Sequence, residues 1–242
     1  GKMEKIAASR INSTQLLLDK IVEEKLFGIK FIGISAVGIY GDRGSSDLNE
    51  KSTVGDDYIA QVCHTVEEKL LNSILPQTKV SILRLGMVLA KDGGVLVKLQ
   101  GPFSLGLGTV FGSGKQFISW VHIDDVIESI LLQIEAGHLH GVYNVVAPAP
   151  VTNEEFTRML GLVLGVPTFL RIPGFLLAIV LGKKSQLLLS SQRVYPIRII
   201  AQGFYFRYQS IEQALADIFS ARAKDFFRNF FLTIKQWCCP HV

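Results

Sequence analysis

The chain has 242 residues, 48% of them hydrophobic and 19% charged, which is enough to bury a sizeable core and excludes disorder and coiled coil. The net charge of +4 is unevenly placed: residues 221–242 hold Arg222, Lys224, Arg228 and Lys235 against Asp225 alone, and the rest is close to neutral. A body without a basic stripe excludes nucleic acid as the main ligand. Mean hydropathy is high at +0.33, yet no apolar run reaches the ~18–20 residues that a spanning helix needs. The nearest, Leu160 to Leu181, is broken by Pro167, Arg171, Pro173 and Gly174 and reads as a buried or docking segment. Three cysteines, two of them adjacent, make no disulfide framework, and residues Gly1 to Lys5 carry no signal-type apolar core. The expected setting is a reducing, cytoplasmic one.

Taken in order, Ala7 to Glu24 reads as a helix, with Ile6, Ile11, Leu16, Leu17, Leu18 and Ile21 at roughly helical spacing. Ile29 to Ser35 then reads as a short buried strand, rich in β-branched and aromatic residues. Asp56 to Ile74 is predicted as a second helix and Lys79 to Leu85 as a second strand. The glycine-rich stretch from Gly86 to Gly114 reads as loop. Phe117 to Ile123 is expected to be extended and Asp124 to Glu135 helical, with its two acids at the positive end of the helix dipole. Val142 to Val146 is a further strand, after which Thr152 caps a helix with Glu155 completing a capping box. Alternating strands and helices imply βαβ units and a mostly parallel sheet. Ligands bind beyond the carboxyl ends of such strands, which selects Ser35–Gly41, Leu85–Met87 and the approach to His122.

At those places the sequence resembles the extended and atypical short-chain dehydrogenase/reductases, and within them the epimerase-like family called YfcH-like. The matching stretches are Ser35-Ala36-Val37-Gly38-Ile39-Tyr40-Gly41, Gly55-Asp56-Asp57-Tyr58, Arg84-Leu85-Gly86-Met87, Gly112-Ser113-Gly114-Lys115-Gln116-Phe117 and Ser119-Trp120-Val121-His122-Ile123-Asp124-Asp125. The segment from Pro173 through Gln192-Arg193-Val194 to Gly203-Phe204 resembles the small carboxy-terminal domain, DUF1731, that accompanies the family. The resemblance implies an α/β fold, a Rossmann-like sheet over residues 1–150 with a small substrate lobe over 151–219, and leaves 220–242 as an unmatched tail. It also implies NADP(H) or NAD(H) as cofactor and a small-molecule substrate. Ser35 and Tyr58 take the catalytic positions. Ser35, Ala36, Val37, Leu85, Gly86 and Met87 take the cofactor-binding positions, with Gly86-Met87 flanking the nicotinamide, and Ala36-Val37 line the crevice with the substrate-side Trp120 and His122.

Two departures qualify that expectation. The family's glycine-rich G-x-x-G-x-x-G phosphate turn is absent, and by the resemblance it lies ahead of the first helix here. The activating lysine of the family's Tyr-x-x-x-Lys pair is absent too: Val62 stands four residues after Tyr58, and aligning through Glu67 puts Cys63 in the lysine's place. A phenol with a pKa of about 10 and no cation beside it is a poor acid–base group at neutral pH. The alternative function is therefore a non-catalytic binding or scaffold protein of the same fold.

Each candidate also has a plainer reading. Ser35 could be a turn hydroxyl, Tyr58 a helix-start aromatic, and His122 a structural histidine bonded to backbone. Tyr40 reads as packing, Arg84 as a loop tie, and Asp124 and Asp125 as helix-start charges. No metal constellation is apparent: His138 and His140 flank a turn, and Cys238-Cys239 with His241 is poorly spaced for zinc. In the tail, Phe226, Phe227, Phe230, Phe231, Ile234 and Trp237 recur at helical spacing among basic residues. Such a segment can lie on a membrane or dock its aromatic side onto protein.

Overall fold

The computed structural model describes residues 2–26, 28–73, 78–104 and 107–219. The expectations for the 220–242 tail and its cysteines lie outside these residues. Helix α1 (Lys2–Glu23) buries Ala7, Leu18 and Ile21, spaced to share one face, against α2 and the sheet, whereas Ile6, Leu16 and Leu17 fall outside that face and are exposed. It leads into β1 (Lys30–Ala36), a one-turn 3₁₀ segment at Val37–Tyr40, and the short β2 (Asp47–Leu48). Helix α2 (Tyr58–Leu71) begins where Asp57 accepts the backbone N–H groups of Ile59 and Ala60, as an N-cap should. Strand β3 (Lys79–Leu85) follows, its Ser81–Arg84 stretch buried.

The glycine-rich stretch expected to be loop is not one. It folds as β4 (Met87–Ala90), α3 (Gly94–Ser104) and β5 (Thr109–Phe111). Leu96 and Phe103 are buried in the main core with Val95 and Leu99 packed beside them, a helical period that outweighs the local glycine content. The extended segment expected at 117–123 is divided at Ser119 into β6 (Phe117–Ile118) and β7 (Trp120–His122). Ser119 donates its hydroxyl to the Gln192 carbonyl and accepts from the Val194 N–H, tying this break to the later chain.

Helix α4 (Ile123–Glu135) and β8 (Gly141–Val145) lead to β9 (Val151–Thr152) and α5 (Asn153–Leu164), whose expected Thr152–Glu155 capping box is present. Next come β10 (Leu170–Ile172), α6 (Gly174–Leu181), α7 (Gln186–Leu189), β11 (Arg193–Val194), α8 (Ile197–Ala201) and α9 (Ile211–Ile218). The Leu160–Leu181 segment thus splits: Leu160 is core, whereas Phe175, Ile179 and Val180 of α6 are exposed. Among the described residues no helix is long and apolar enough to cross a membrane.

The main sheet is parallel, in the order β1-β3-β8. Parallel β4–β7 forms a second pair, and segments after residue 150 pair back on earlier ones: β9 on β6, β10 on β5 and β11 on β2. The largest core joins Trp120, Leu96 and Phe103 to Phe156, Leu160, Ile211 and Leu215. Register fixes what happens at the carboxyl end of the sheet: Ser35 is opposite Arg84, and Arg84 is opposite Asn144. Neighbours in register share a sheet face, so three polar residues form one row across three strands.

Candidate functional site

A polar row inside a sheet needs partners, because an unpaired buried charge or amide costs far more than a paired one. Helix α2 supplies the principal partner. Glu67 is 2% exposed and accepts from the Ser35 hydroxyl at 2.6 Å. The same carboxylate accepts from Arg84, at 3.0 and 3.2 Å from Nε and 2.7 Å from Nη2. Arg84 Nη1 donates to the Tyr40 hydroxyl at 2.9 Å, which donates to Asn144 Oδ1 at 2.8 Å. Asn144 Nδ2 then donates to the Tyr195 carbonyl at 3.1 Å. A continuous network therefore runs from Ser35 at the end of β1 to the segment after β11.

The electrostatics follow from this burial. Desolvation is the largest single effect on Arg84 and works against its charge, but the hydrogen bonds and electrostatic attraction of Glu67 and Tyr40 together outweigh it and the guanidinium pKa is raised. The Tyr40 phenol is also pushed up by burial, against the pull of Arg84. Cys63, one helical turn before Glu67, lies against the Ala36 backbone and the Ser35 side chain. Burial, then the Glu67 charge, raises its thiol pKa, which keeps it protonated and a weak nucleophile.

Around this network the expected site residues separate. Ser35 is half-buried and Ala36 exposed, with Ala36 opposite the half-buried Leu85 in the β1–β3 register and half-buried Gly86 following it. Val37 is buried in a small core with Ile39 and Tyr40. At Gly86 a Cβ would stand 2.5 Å from the Ser119 carbonyl oxygen, so the missing side chain lets two strands meet. Met87 is half-buried against the main core. Tyr58, on the first turn of α2, is 38% exposed.

Trp120 and His122 lie elsewhere. Trp120 is wholly enclosed in the main core and donates its indole N–H to the Ala149 carbonyl at 3.0 Å. His122 is the N-cap of α4: its Nδ1 accepts the Asp124 N–H at 3.1 Å, and its ring lies 3.9 Å from that of Tyr208. Asp124 and Asp125 sit in the first turn of α4, and Asp125 also accepts the Arg207 and Tyr208 N–H groups. His122, Asp124 and Asp217 bring ligand-type atoms within 4.8 Å of one another. Because Nδ1 accepts a backbone N–H, the neutral ring carries its proton on Nε2, toward Asp217, which suits a capping histidine better than a metal ligand. Arg84, expected to tie a loop, instead forms the buried ion pair with Glu67. Tyr40 packs as expected but also carries a hydroxyl into the network.

Sequence reasoning passed over Glu67 and Asn144 as working parts of the site. The available signal was the arginine in the otherwise apolar Lys79–Leu85 strand and the asparagine in Gly141–Val145, since polar groups there must be answered by other polar groups.

Comparison with known proteins is consistent with this architecture. The family model DUF1731, a domain of unknown function, matches residues 172–218. The Mycobacterium leprae protein named epimerase family protein ML0860 is 37% identical over 86% of this chain and 67% of its own length. The human epimerase family protein SDR39U1 is 33% identical over 89% of this chain and 74% of its own. A crystal structure of human SDR39U1 (isoform 2) with NADPH superposes with a TM-score of 0.81 at 32% identity, covering 88% of this chain and 73% of that one. A nucleoside-diphosphate sugar epimerase from Corynebacterium glutamicum, 26% identical, covers the whole chain and 54% of its own length with a TM-score of 0.70. With the parallel sheet, the DUF1731 segment and relatives above 30% identity all in agreement, this chain belongs to the atypical short-chain dehydrogenase/reductase epimerase family that includes SDR39U1.

Proposed function

We propose that this chain carries the substrate-side part of an NAD(P)-dependent epimerase or oxidoreductase site, with Ser35 as its central polar group. The observation that carries the reading is the Ser35–Glu67–Arg84 network at the carboxyl ends of β1 and β3, where an open parallel sheet receives its ligand. The human relative solved with NADPH supports a nicotinamide cofactor, either NADP(H) or NAD(H). The residues present suit its ring end: exposed Ala36 and half-buried Leu85 and Met87 offer an apolar surface beside one hydroxyl. When bound, that cofactor would supply or accept a hydride. Ser35 donates its own proton to Glu67, so toward a ligand hydroxyl its oxygen acts as an acceptor. Tyr58 contributes a second hydroxyl from the start of α2.

The test is a titration of the chain with NADPH and with NADH, followed by calorimetry. Saturable binding weakened in Ser35→Ala, and hydride transfer to a carbonyl panel lost in Tyr58→Phe, are the expected results. No saturation at a cofactor concentration on the order of 1 mM, where binding is worth about 4 kcal/mol, would sink the proposal. A second reading, a binding protein of the same fold without catalysis, is favoured by one feature: Val62 stands one turn below Tyr58, so no cation supports the phenol from that position. Cofactor binding with no turnover of any carbonyl in the panel would select it.

A further inference from the structure

Helix α4 carries an apolar stripe on its outer side. Ile127, Leu131 and Ile134, at i, i+4 and i+7, are 49%, 41% and 58% exposed, and Tyr205 beside them is 77% exposed. Ile127, Leu131 and Tyr205, with Leu132 and Phe204, help to line a groove of about 510 Å³ between α4 and the segment after α8, and Ile134 continues the stripe beyond it. Its rim is acidic: Glu128 and Glu135 border it along α4 and Asp124 closes one end, with Arg207 as the basic exception. Arg207 is drawn to Asp124 at 3.9 Å, and among the described residues neither glutamate has an ion-pair partner.

We propose that residues 220–242 of this same chain occupy the groove. Three observations point to that occupant. The first is chemical complementarity: Phe226, Phe227, Phe230, Phe231, Ile234 and Trp237 provide an aromatic face for the apolar floor, and Arg222, Lys224, Arg228 and Lys235 provide cations for the acidic rim. The second is where the described chain ends. Asp217, in the last turn of α9, has its carboxylate within 4.8 Å of ligand atoms of His122 and Asp124, and Asp124 lines the groove. The tail therefore starts three residues from the groove's end. The third is length. Helix α4 has 13 residues and is about 20 Å long, and the 23 residues after Phe219 are enough to run its whole length even at ~1.5 Å per residue.

A zero-length carbodiimide cross-linker applied to the full chain, followed by peptide mapping, tests the assignment. The expected products join Lys224 or Lys235 to Glu128 or Glu135 within the monomer. The variant Leu131→Glu, on an exposed position that leaves the core intact, should lower their yield about tenfold, the factor produced by a loss of about 1.4 kcal/mol. It should also shift the Trp237 emission to the red, while the wholly buried Trp120 supplies a constant background. Leu16→Glu on α1, 72% exposed and remote from α4 in sequence, should change neither. Four outcomes would overturn the proposal: links from those lysines to acids elsewhere, the same links only in covalent dimers, no links with co-sedimentation on phosphatidylglycerol vesicles, or a Leu131→Glu yield equal to wild type. The second would reassign the groove to another copy of the chain and the third would assign the tail to a lipid surface.

Discussion

The buried Glu67–Arg84 pair makes the sharpest prediction. In Glu67→Gln the side chain keeps its shape, but one carboxylate that accepts from Ser35 and Arg84 becomes an amide with one accepting oxygen. Arg84 is 7% exposed and stays ionised, because a guanidinium does not lose its proton in a protein. Breaking a buried pair by removing one member costs about 3–5 kcal/mol, against at most ~1 kcal/mol for an exposed pair. In a chain of this size each kcal/mol shifts the unfolding midpoint by about 2–4 °C, so Glu67→Gln should lower it by about 6–20 °C. Arg84→Met combined with Glu67→Leu removes both charges and should recover most of that loss. Thermal and urea unfolding of Glu67→Gln and of the double variant give the comparison. A Glu67→Gln shift below about 2 °C would show that water reaches the pair, and the burial argument would fail.

Three further predictions rest on separate features. Burial, reinforced by Arg207, holds the His122 pKa below 6.5, although Asp124, Asp217 and Asp125 pull it upward. The folded state thus favours the neutral ring and the unfolded chain takes up more protons, so this contribution is complete above pH 6.5 and is lost as pH falls through that value toward the folded pKa. Melting at about pH 7.5 and about pH 5.5 should show a larger acid-side decrease for wild type than for His122→Asn, and equal decreases would contradict the assignment. Gly86→Ala places a Cβ 2.5 Å from the Ser119 carbonyl and 2.8 Å from Val146 Cγ1, and urea unfolding should record a loss of about 1–3 kcal/mol. Thr152→Ala removes the α5 capping box and should cost about 1 kcal/mol by the same measurement, and no change would mean that the Glu155 side of the box suffices alone.

What could be read from the sequence was local, and what could not was register. β1, α2, β3, α4 and β8 follow from periodicities within a dozen residues or so, and the α5 cap follows from a four-residue pattern. Helix α3 was obscured because Gly93, Gly94 and Gly101 sit among Leu96, Leu99 and Phe103, and glycine content argues for loop while burial decides for helix. The polar network is a different case. Ser35, Glu67, Arg84 and Asn144 are scattered over more than a hundred positions, and only the β1-β3-β8 pairing lines up three of them, so that Glu67 of α2 meets Ser35 and Arg84 while Tyr40 links Arg84 to Asn144. Trp120 and His122 sit in a motif that the family resemblance linked to ligand, yet their side chains serve the core and a helix cap.

The same network bears on why a buried ion pair is kept at a place where an apolar pair would hold the fold as well. Stability is a weak reason, since paired apolar replacements of buried ion pairs are often neutral. Position is a stronger one. The Glu67 carboxylate takes the Ser35 proton at 2.6 Å and is itself held by three contacts from Arg84, so the serine has one orientation instead of three rotamers. Arg84 in turn is pinned by Tyr40, and Tyr40 by Asn144, whose amide reaches the segment after β11. Apolar side chains in place of both Glu67 and Arg84 would leave the strands in register but release that hydroxyl. The double variant that recovers stability should therefore still lose the ligand affinity proposed for Ser35, and cofactor titration of that variant separates the two roles in one protein.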